Sequence, residues 1–399
     1  MPTPSGTIKF SDIEDEFGQT PNQRLGDYRV DYDIGSFATL QGLPLDDGVP
    51  KSGPISFGDL RSKKLNIIVD YYTVGNVERG NDPGVDFKAD NRYNSGAISA
   101  IQPTGATTAE IPGESANTAG KKVRVVVGDK IGSVKSTTTN NTTHKNRCAL
   151  RTGTNWHTDT ELTVHVTEGG LICGAGGDGG NGGNGVSGEN NDGVSGKSGS
   201  SALGIQFNGT KVKVDSGGYI IAGFGGGGGG GGDWNQQTDR ECDRHVFNWE
   251  CEEDTNTYKA GGGGGGGGAG RPRGVKGDGG TASGGDTPKA GSDGGNGNDY
   301  DSPFSGNWQS AGGGAGEGGQ NSNSCVGGDG GGGGKASEFG SSDGGQGRSN
   351  AEGGENGAQG GAINRSSNSI NWSFVDNSSG NRVFGEGSNG KAESENTVA

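Results

Sequence analysis

The chain has 399 residues, of which 91 are glycine and only 26% are hydrophobic. A conventional apolar core therefore cannot account for most of it. The formal net charge of -15 lacks the basic footprint that attracts proteins to nucleic acids or anionic membranes, so we expect neither partner. Met1–Gly6 has no secretion signal pattern, and no stretch reaches the roughly 18 apolar residues of a membrane span. This fits assembly in the cytoplasm.

Two copies of one short motif mark an N-terminal region, residues 1–65. Ser5–Ile13 and Ser52–Leu60 share serine, glycine, isoleucine, phenylalanine, aspartate and a final aliphatic residue at an offset of 47. A shared pattern of this kind indicates that the same unit is used twice. The alternating isoleucine and phenylalanine predict a short strand with a turn in each copy.

Residues 66–168 have the composition of a small β domain. Asn66–Val74 and Lys122–Val127 are rich in β-branched and aromatic residues, and Gly, Asn and Pro between them predict turns. A second repeat, with an offset of 48, then leads into the glycine-rich region. We predict a β hairpin in each copy, at 162–173 and 212–222, that anchors the glycine segment following it. The repeated residues are Val164, Val166, Gly169, Gly170 and Ile172, matched by Val212, Val214, Gly217, Gly218 and Ile220.

Residues 169–361 are a series of glycine-rich segments separated by loops. A flexible linker is the usual interpretation of such composition, but the spacing here is regular. In Gly174–Gly185 the non-glycine residues Ala175, Asp178, Asn181 and Asn184 occupy every third position. A polyproline-II-type helix has three residues per turn, so these side chains would form one stripe. The segments lie near 174–185, 193–200, 223–232, 261–270, 277–285, 290–298, 311–320, 326–335, 340–348 and 352–361.

Two of these runs, Gly225–Gly232 and Gly261–Gly268, carry no side chain at all, which suits a middle layer surrounded by other helices. Ordering a glycine backbone costs about 1–2 kcal/mol per residue. Hydrogen bonds between extended helices, each contributing about 0.5–1.5 kcal/mol, can offset that cost. The predicted fold is a mainly β N-terminal region followed by a polyglycine-II helix sandwich with almost no α-helix, and a C-terminal strand element and tail at 362–399.

Several stretches resemble phage tail-fibre and receptor-recognition proteins. Residues 123–183 resemble the β domain that leads into polyglycine in that family, and residues 200–232 resemble its next unit. Residues 360–386 are similar to the family's closing element, in which a Gly- and Asn-rich strand carries an Asn-x-x-x-Trp pattern. The paired Ser-Gly-x-Ile-x-Phe units look like those of virion proteins from marine T-even-like phages, cyanophages in particular.

The resemblance implies layered polyglycine-II helices whose loops at one end bind a bacterial receptor, with no cofactor. The first 120 residues depart from the distal adhesins of that family. We therefore expect region 1–65 to attach the chain, alone or as an oligomer, to other tail or fibre proteins of a virion, while the glycine-rich part faces the bacterial surface.

Two loops between the glycine segments are long and aromatic, Asp233–Ala260 and Asp299–Ser310. Aromatic rings offer large contact areas to sugars or protein loops at low entropic cost. The alternative is that these rings pack on the scaffold or on a neighbouring subunit. The receptor-binding candidates are Trp234, His245, Phe247, Trp249, Tyr258, Tyr300, Phe304 and Trp308.

Five cysteines occur, and Cys242 and Cys251 share one polar loop in which they could form a disulfide. The odd total argues against an obligate disulfide framework. A zinc site is not expected, because the spacing of the nearest histidines and cysteines matches no known finger. Those residues are His144, Cys148, His157, His165 and Cys173.

The sequence thus predicts a non-catalytic adhesin at a tail fibre or its tip, binding a surface glycan or an outer-membrane protein. Carboxylate pairs are frequent in so acidic a chain and do not by themselves indicate a glycosidase. One alternative is a connector or decoration protein of the virion without receptor binding. A less favoured alternative is a glycine-rich antifreeze protein, which would need a flat, weakly charged face.

Overall fold

A computed structural model describes most of the glycine-rich part of the chain and separate stretches elsewhere. The described residues are 3–17, 25, 50, 53–63, 67–70, 88–90, 109–110, 120, 122–128, 130–133, 147–152, 156–186, 191–245, 248–283, 288–297, 315–320, 326–333, 351–359, 361–364, 369–374, 383–384 and 393–394.

Both N-terminal repeats form the start of a helix, so the predicted strand with a turn is wrong. An α-helix, α1, runs from Phe10 to Phe17, and a 3₁₀ helix spans Phe57–Leu60. In each copy the aspartate near the helix start accepts a hydrogen bond from the backbone N–H three residues earlier, which satisfies one of the amides that a helix leaves free. The motif is therefore a helix-capping sequence.

The described strands are short, apart from two of 13 residues. In chain order they are β1 (Ile67–Asp70), β2 (Lys88–Asp90), β3 (Ala109–Glu110), β4 (Lys122–Val127), β5 (Lys130–Ile131), β6 (Cys148–Arg151), β7 (Glu161–Val166), β8 (Leu171–Cys173), β9 (Ser201–Gly204), β10 (Thr210–Val214), β11 (Tyr219–Ile221), β12 (Asp233–His245), β13 (Asn248–Ala260), β14 (Ile363–Asn364), β15 (Ile370–Phe374), β16 (Val383–Phe384) and β17 (Glu393–Ser394).

Three sheets make up the β part of the molecule. Their strand orders are β15-β10-β7-β4-β1-β2, β16-β11-β8-β5 and β17-β14-β9-β6-β3. From β3 onwards, strands of these sheets that follow each other along the chain, such as β6, β7 and β8, lie in different sheets. Each coil of this part of the chain therefore contributes one strand to every sheet. Among the described strands of these sheets, all pairings are parallel except that of β1 with β2. The β part is therefore a three-sided parallel solenoid.

The 48-residue repeat is one coil of this solenoid, and the predicted hairpins at 162–173 and 212–222 are wrong. The strands β7 and β8 belong to different sheets, as do β10 and β11. Val164 pairs in register with Val212, and both are fully buried. Gly169 has a φ of 83°, which suits glycine, and turns the chain from one sheet to the next. The repeat thus stacks on itself in parallel.

The solenoid encloses an apolar core of small, mostly β-branched side chains from all three sheets. The core is formed by short strands in which inward-facing and outward-facing residues alternate. Only about every second residue of a strand must therefore be hydrophobic, so a small number of hydrophobic residues is enough to fill the core. The predicted C-terminal element contributes Ile363 and Val383 to the same core. Its central members are Val123, Val125, Val127, Leu150, Leu162, Val164, Val166, Ile172, Leu203, Val212, Val214 and Ile220.

Two corners of the solenoid open into glycine-rich segments, which we number I to IX. The first insertion joins β8 to β9, and the second joins β11 to β14. The described segments are I (174–186), II (191–200), III (222–232), IV (261–270), V (271–283), VI (288–297), VII (315–320), VIII (326–333) and IX (351–359).

Backbone hydrogen bonds at every third residue join each segment to its neighbours. Segment I, for example, donates from Gly177, Gly180 and Gly183 to segment III, and from the N–H groups one residue earlier to segment V. The order of the partners shows that segments I, III, V and VII lead away from the solenoid. Segments II, IV, VI, VIII and IX lead back. The nine segments therefore form one bundle that projects from the solenoid.

Segment IV lies at the centre of this bundle. Each N–H of Gly261–Gly268 donates to segment I, VI or VIII, and its carbonyl groups accept from segments III, V and VII. Segment III, with Gly225–Gly232, forms backbone hydrogen bonds with five neighbours, segments I, II, IV, VIII and IX. The two pure glycine runs thus occupy the positions with the most surrounding chains, where a side chain would have no space.

Short oxygen-bearing side chains also join neighbouring segments by hydrogen bonds. The side chains of Asp178, Asn181 and Asn184 accept hydrogen bonds from three backbone N–H groups of segment V, spaced three residues apart. Asp192, Ser195 and Ser198 do the same for segment IX, and Ser201 does so for Gly361. The stripe seen in the sequence therefore satisfies amides of an adjacent segment, and a second set of side chains at the same spacing does so for segment IX.

Candidate functional site

The long antiparallel pair β12–β13, which we call the ribbon, connects segment III to segment IV. Segment III leads away from the solenoid and segment IV returns, so the ribbon begins and ends at the bundle end opposite the solenoid. Its strands pair from Asp233 with Ala260 to His245 with Asn248. At about 3.4 Å per residue, 13 residues give a length of roughly 40 Å. The ribbon is the most extended feature at this end among the described residues.

The base of the ribbon is fixed to the bundle. Asp233 is buried, and its Oδ2 accepts a hydrogen bond of 2.9 Å from the N–H of Val326 at the start of segment VIII. Lys259 donates from Nζ to the carbonyl oxygen of Ser283 at the end of segment V, at 2.9 Å. These contacts reach two different segments, so they set the direction in which the ribbon leaves the bundle.

Beyond its base the ribbon is exposed to solvent, and its two faces differ. Side chains alternate between the faces of a strand. One face carries uncharged and oppositely charged pairs, including Arg240 with Glu253, whose Nε and Oε1 lie 3.7 Å apart. The other face places like charges directly opposite each other, Asp239 with Asp254 and Glu241 with Glu252. Directly opposed like charges weaken a strand pair, so the ribbon needs another source of stability.

A disulfide between Cys242 and Cys251 supplies a covalent link between the strands. The two residues pair directly in the register, with Cα atoms 4.1 Å apart. Cys242 directly follows Glu241, and Cys251 directly precedes Glu252. The disulfide therefore lies next to this pair of repelling carboxylates. The bond that the sequence left open is therefore present in the structure, on the face that also carries Arg240.

The structure separates the candidate aromatic residues of the ribbon. Trp234 is half-buried at the base, opposite Lys259. Tyr258 is 7% exposed and packs with Ala260 at the base, so little of its ring reaches the surface. His245 and Trp249 lie on the strands near the tip, but their side chains are outside the described residues.

The other four candidates, Phe247, Tyr300, Phe304 and Trp308, lie outside the described residues. The second aromatic loop, Asp299–Ser310, begins at the solenoid end of the bundle, whereas the ribbon begins at the other end. Gly297, the last described residue before this loop, donates to the carbonyl of Gly274, where segment V leaves the solenoid. The two loops that looked equivalent in the sequence thus begin at different ends.

Sequence reasoning missed the residues that position the ribbon. Asp233 and Lys259 were treated as part of a polar loop, yet they hold its base. The available signal was their place next to the two pure glycine runs, with Asp233 directly after Gly232 and Lys259 two residues before Gly261, where the bundle must accommodate any side chain. Asn235–Cys242 is polar on both faces of the strand, so the apolar–polar alternation that identifies a half-buried strand is absent there.

The histidines and cysteines considered for zinc lie apart or are buried. Cys148 is fully buried, and burial raises the pKa of its thiol to about 12. The Nε2 of His165 lies 2.7 Å from the Oδ2 of Asp215, and Cys173 is also buried. His144 is outside the described residues. Within the described part of the chain, no three His, Cys, Asp or Glu residues are placed to hold a metal ion.

The described residues also contain no helix of the length and apolarity that a membrane crossing requires. No family model matches this chain, and neither a curated protein nor a solved structure does so.

Proposed function

We propose that the chain is a non-catalytic phage virion protein, an adhesin of a tail fibre or its tip, and that the ribbon contacts the bacterial surface. The observation that carries this proposal is the placement of one long exposed ribbon at the free end of a hydrogen-bonded bundle. A binding element needs a support that fixes its direction, and the contacts of Asp233 and Lys259 provide one.

In this proposal the glycine segments are polyglycine-II helices packed as a sandwich. The support is the three-residue step of the hydrogen bonds, which equals one turn of such a helix. Segments II, I and V form one layer, segments IX, III, IV and VI the next, and segments VIII and VII the third. The pure glycine runs then lie in the middle layer, as expected of helices with neighbours on both sides.

The solenoid serves as the foundation of this sandwich. Segments I and III continue from the parallel strands β8 and β11, and segments II and IX run into the parallel strands β9 and β14. The register of the sheets is thus carried into the glycine segments. Leu171, Cys173 and Ile221 pack with Phe224 and Ala269 where the two parts meet. We propose that the N-terminal region, residues 1–65, attaches to other virion proteins.

The exposed ribbon is polar and rich in carboxylates and amides, which suits a hydrated receptor such as a surface glycan or the loops of an outer-membrane protein. Hydrogen bonds from such side chains confer specificity without a large apolar area. The proposal requires no cofactor and no catalytic group.

The experiment replaces residues 236–257 by an Asn-Gly turn, which leaves the base pairs of Asn235 with Tyr258 and Trp234 with Lys259. Asn-Gly suits a two-residue hairpin turn. We expect the fluorescently labelled variant to lose binding to cells of the host strain, and virions carrying it to adsorb more slowly. Amide exchange of segment IV should match the unmodified protein, which shows that the support is intact.

A matched control removes an exposed ion pair on the solenoid, Lys211→Ala with Glu161→Ala. This control should bind cells as the original protein does. Retained cell binding by the shortened ribbon would refute the receptor-contact assignment. Electron cryomicroscopy of the virion gives an independent result, since a position inside the neck or baseplate would instead favour a connector.

A further inference from the structure

The two N-terminal repeats share the same hydrogen bonds at the start of their helices. Lys9 and Ser56 each donate from the backbone N–H to the Oδ2 of the aspartate three residues later, at 2.7 Å in both copies. The N–H of that aspartate donates back to the carbonyl of the same residue, at 3.1 Å in both copies. Ile13 and its counterpart Leu60 are fully buried. We call each copy a capped unit.

The two capped units pack against each other, and one of their contacts joins equivalent residues. Phe10 meets its own counterpart, Phe57, edge to face, with ring centroids 5.9 Å apart and an interplanar angle of 77°. Backbone hydrogen bonds join the flanks, from Thr3 to Lys63 and from Ser62 to Pro4. Contact between equivalent residues is characteristic of the interface of a two-fold symmetric dimer. Here the two partners are repeats within one chain.

We propose that the capped unit is a homotypic docking element, and that a unit from a second copy of this chain can replace the one supplied in cis. A surface that accepts a copy of itself inside one chain presents the same complementary surface to a copy on another chain. Exchange of identical elements between protomers is a low-cost route to association. This proposal does not depend on the receptor-binding role of the ribbon.

Concentration decides which partner is used. Two elements on one chain meet at an effective concentration on the order of millimolar, so the pair within a chain dominates in dilute solution. Copies that are gathered on one assembly reach comparable local concentrations, and exchange then links neighbouring chains. The capped units would in this way join adjacent copies.

Two full-length variants test the exchange by removing the competing partner within each chain. One carries Phe10→Ser with Ile13→Ser and retains only the second unit. The other carries Phe57→Ser with Leu60→Ser and retains only the first. We expect their equimolar mixture to contain a species of twice the chain mass in sedimentation velocity. The combination of all four substitutions should remain at the mass of one chain.

Labelled peptides provide a second measurement that depends on only one variant at a time. A fluorescent peptide of residues 50–63 should bind the variant that lacks the second unit, and a peptide of residues 3–17 should bind the variant that lacks the first. Peptides carrying the same serine substitutions should not bind. Either variant suffices if the other fails to fold.

The matched control is Ser11→Ala with Gly58→Ala, which changes equivalent exposed positions of the two units without approaching their interface. This chain should behave as the unmodified protein in both experiments. The proposal is overturned if the mixture stays at the mass of one chain and neither peptide binds at up to about 1 mM, the scale of the effective concentration in cis.

Discussion

Gly265, at the middle of segment IV, illustrates why single atoms matter in this bundle. A Cβ at this position would overlap the carbonyl oxygen of Gly227 in segment III. The obstacle is backbone on a neighbouring segment, so a rotamer change cannot relieve it. The requirement for glycine here comes from the close approach of chains, in addition to the conformational freedom that glycine provides.

We therefore expect Gly265→Ala to lower the melting temperature, with a loss of about 1–3 kcal/mol or more from overpacking. Ala290→Val also adds bulk but lies at an exposed position on segment VI, and it should leave the melting temperature nearly unchanged. Thermal unfolding followed by calorimetry makes the comparison. Equal melting temperatures for the two variants would contradict the close packing of segment IV.

A different residue-scale effect concerns His165, which is buried on the outward side of β7. Burial lowers the pKa of His165, while its hydrogen bond to Asp215 and the charge of Asp215 raise it, and the charges of Lys213 and Arg124 lower it further. Because the pKa in the fold lies below the unfolded value of about 6.5, the unfolded chain binds the proton more readily. The stability contribution of the neutral ring is complete above that value and is lost as the pH falls below it.

We accordingly expect the melting temperature of the unmodified protein to fall between about pH 7 and pH 5 more steeply than that of His165→Gln. Glutamine can still donate a hydrogen bond to Asp215 but does not titrate. His157→Gln, at a partly exposed position, serves as the control and should follow the unmodified profile. Parallel profiles for all three proteins would show that His165 is not responsible for the acid sensitivity.

At the scale of elements, the ribbon is the part that depends most on a single bond. A two-stranded ribbon on its own is marginally stable in water, and this one opposes Asp239 to Asp254 and Glu241 to Glu252. Closing a loop of about ten residues by a disulfide contributes roughly 2–3 kcal/mol by constraining the unfolded chain. We expect the disulfide to decide whether the outer ribbon is ordered.

The variant Cys242→Ser with Cys251→Ser should therefore lose amide-exchange protection in residues 235–257 and retain it in residues 261–268. The bundle contacts of segment IV do not pass through the ribbon, which explains the separation. Thr238→Ala with Thr255→Ala, a cross-strand pair on the same face, is the control and should keep the ribbon protected. Unchanged exchange in the serine variant would show that pairing alone orders the strands.

Element types differ in how far the sequence predicts them. The stripe at Asp178, Asn181 and Asn184 indicated that the segments repeat every three residues, because a side chain in a glycine-rich segment is tolerated only where the neighbouring segments leave space. The identity of each segment's neighbours was not predictable, since glycine backbones carry no label that distinguishes one partner from another. The solenoid was missed for a related reason: strands such as β8 have only three residues, and the turn at Gly169 looks the same whether the chain reverses or moves to the next sheet.

At the scale of the whole molecule, the solenoid and the bundle are each stabilised by a different kind of interaction. The solenoid buries an apolar core, whereas the bundle relies mainly on hydrogen bonds between backbones. Both insertions leave and re-enter the solenoid between consecutive strands, after Cys173 and Ile221 and before Ser201 and Ile363. Apart from Ala362, directly before β14, the core of the solenoid contains no residue from between these points, so it is expected to form without segments I to IX.

We expect a chain in which residues 175–199 and 224–359 are each replaced by a short glycine-serine turn to fold as a solenoid with a cooperative thermal transition. The reverse experiment uses residues 174–361 alone, without the solenoid strands on either side. This protein should lack slow amide exchange at Gly261–Gly268, because parallel strands such as β8 and β11 no longer fix where segments I and III start. Circular dichroism and amide exchange on both proteins make the test. Native-like protection in the isolated bundle would mean that the glycine segments find their register unaided, and the solenoid would then be a neighbour of the bundle instead of its foundation.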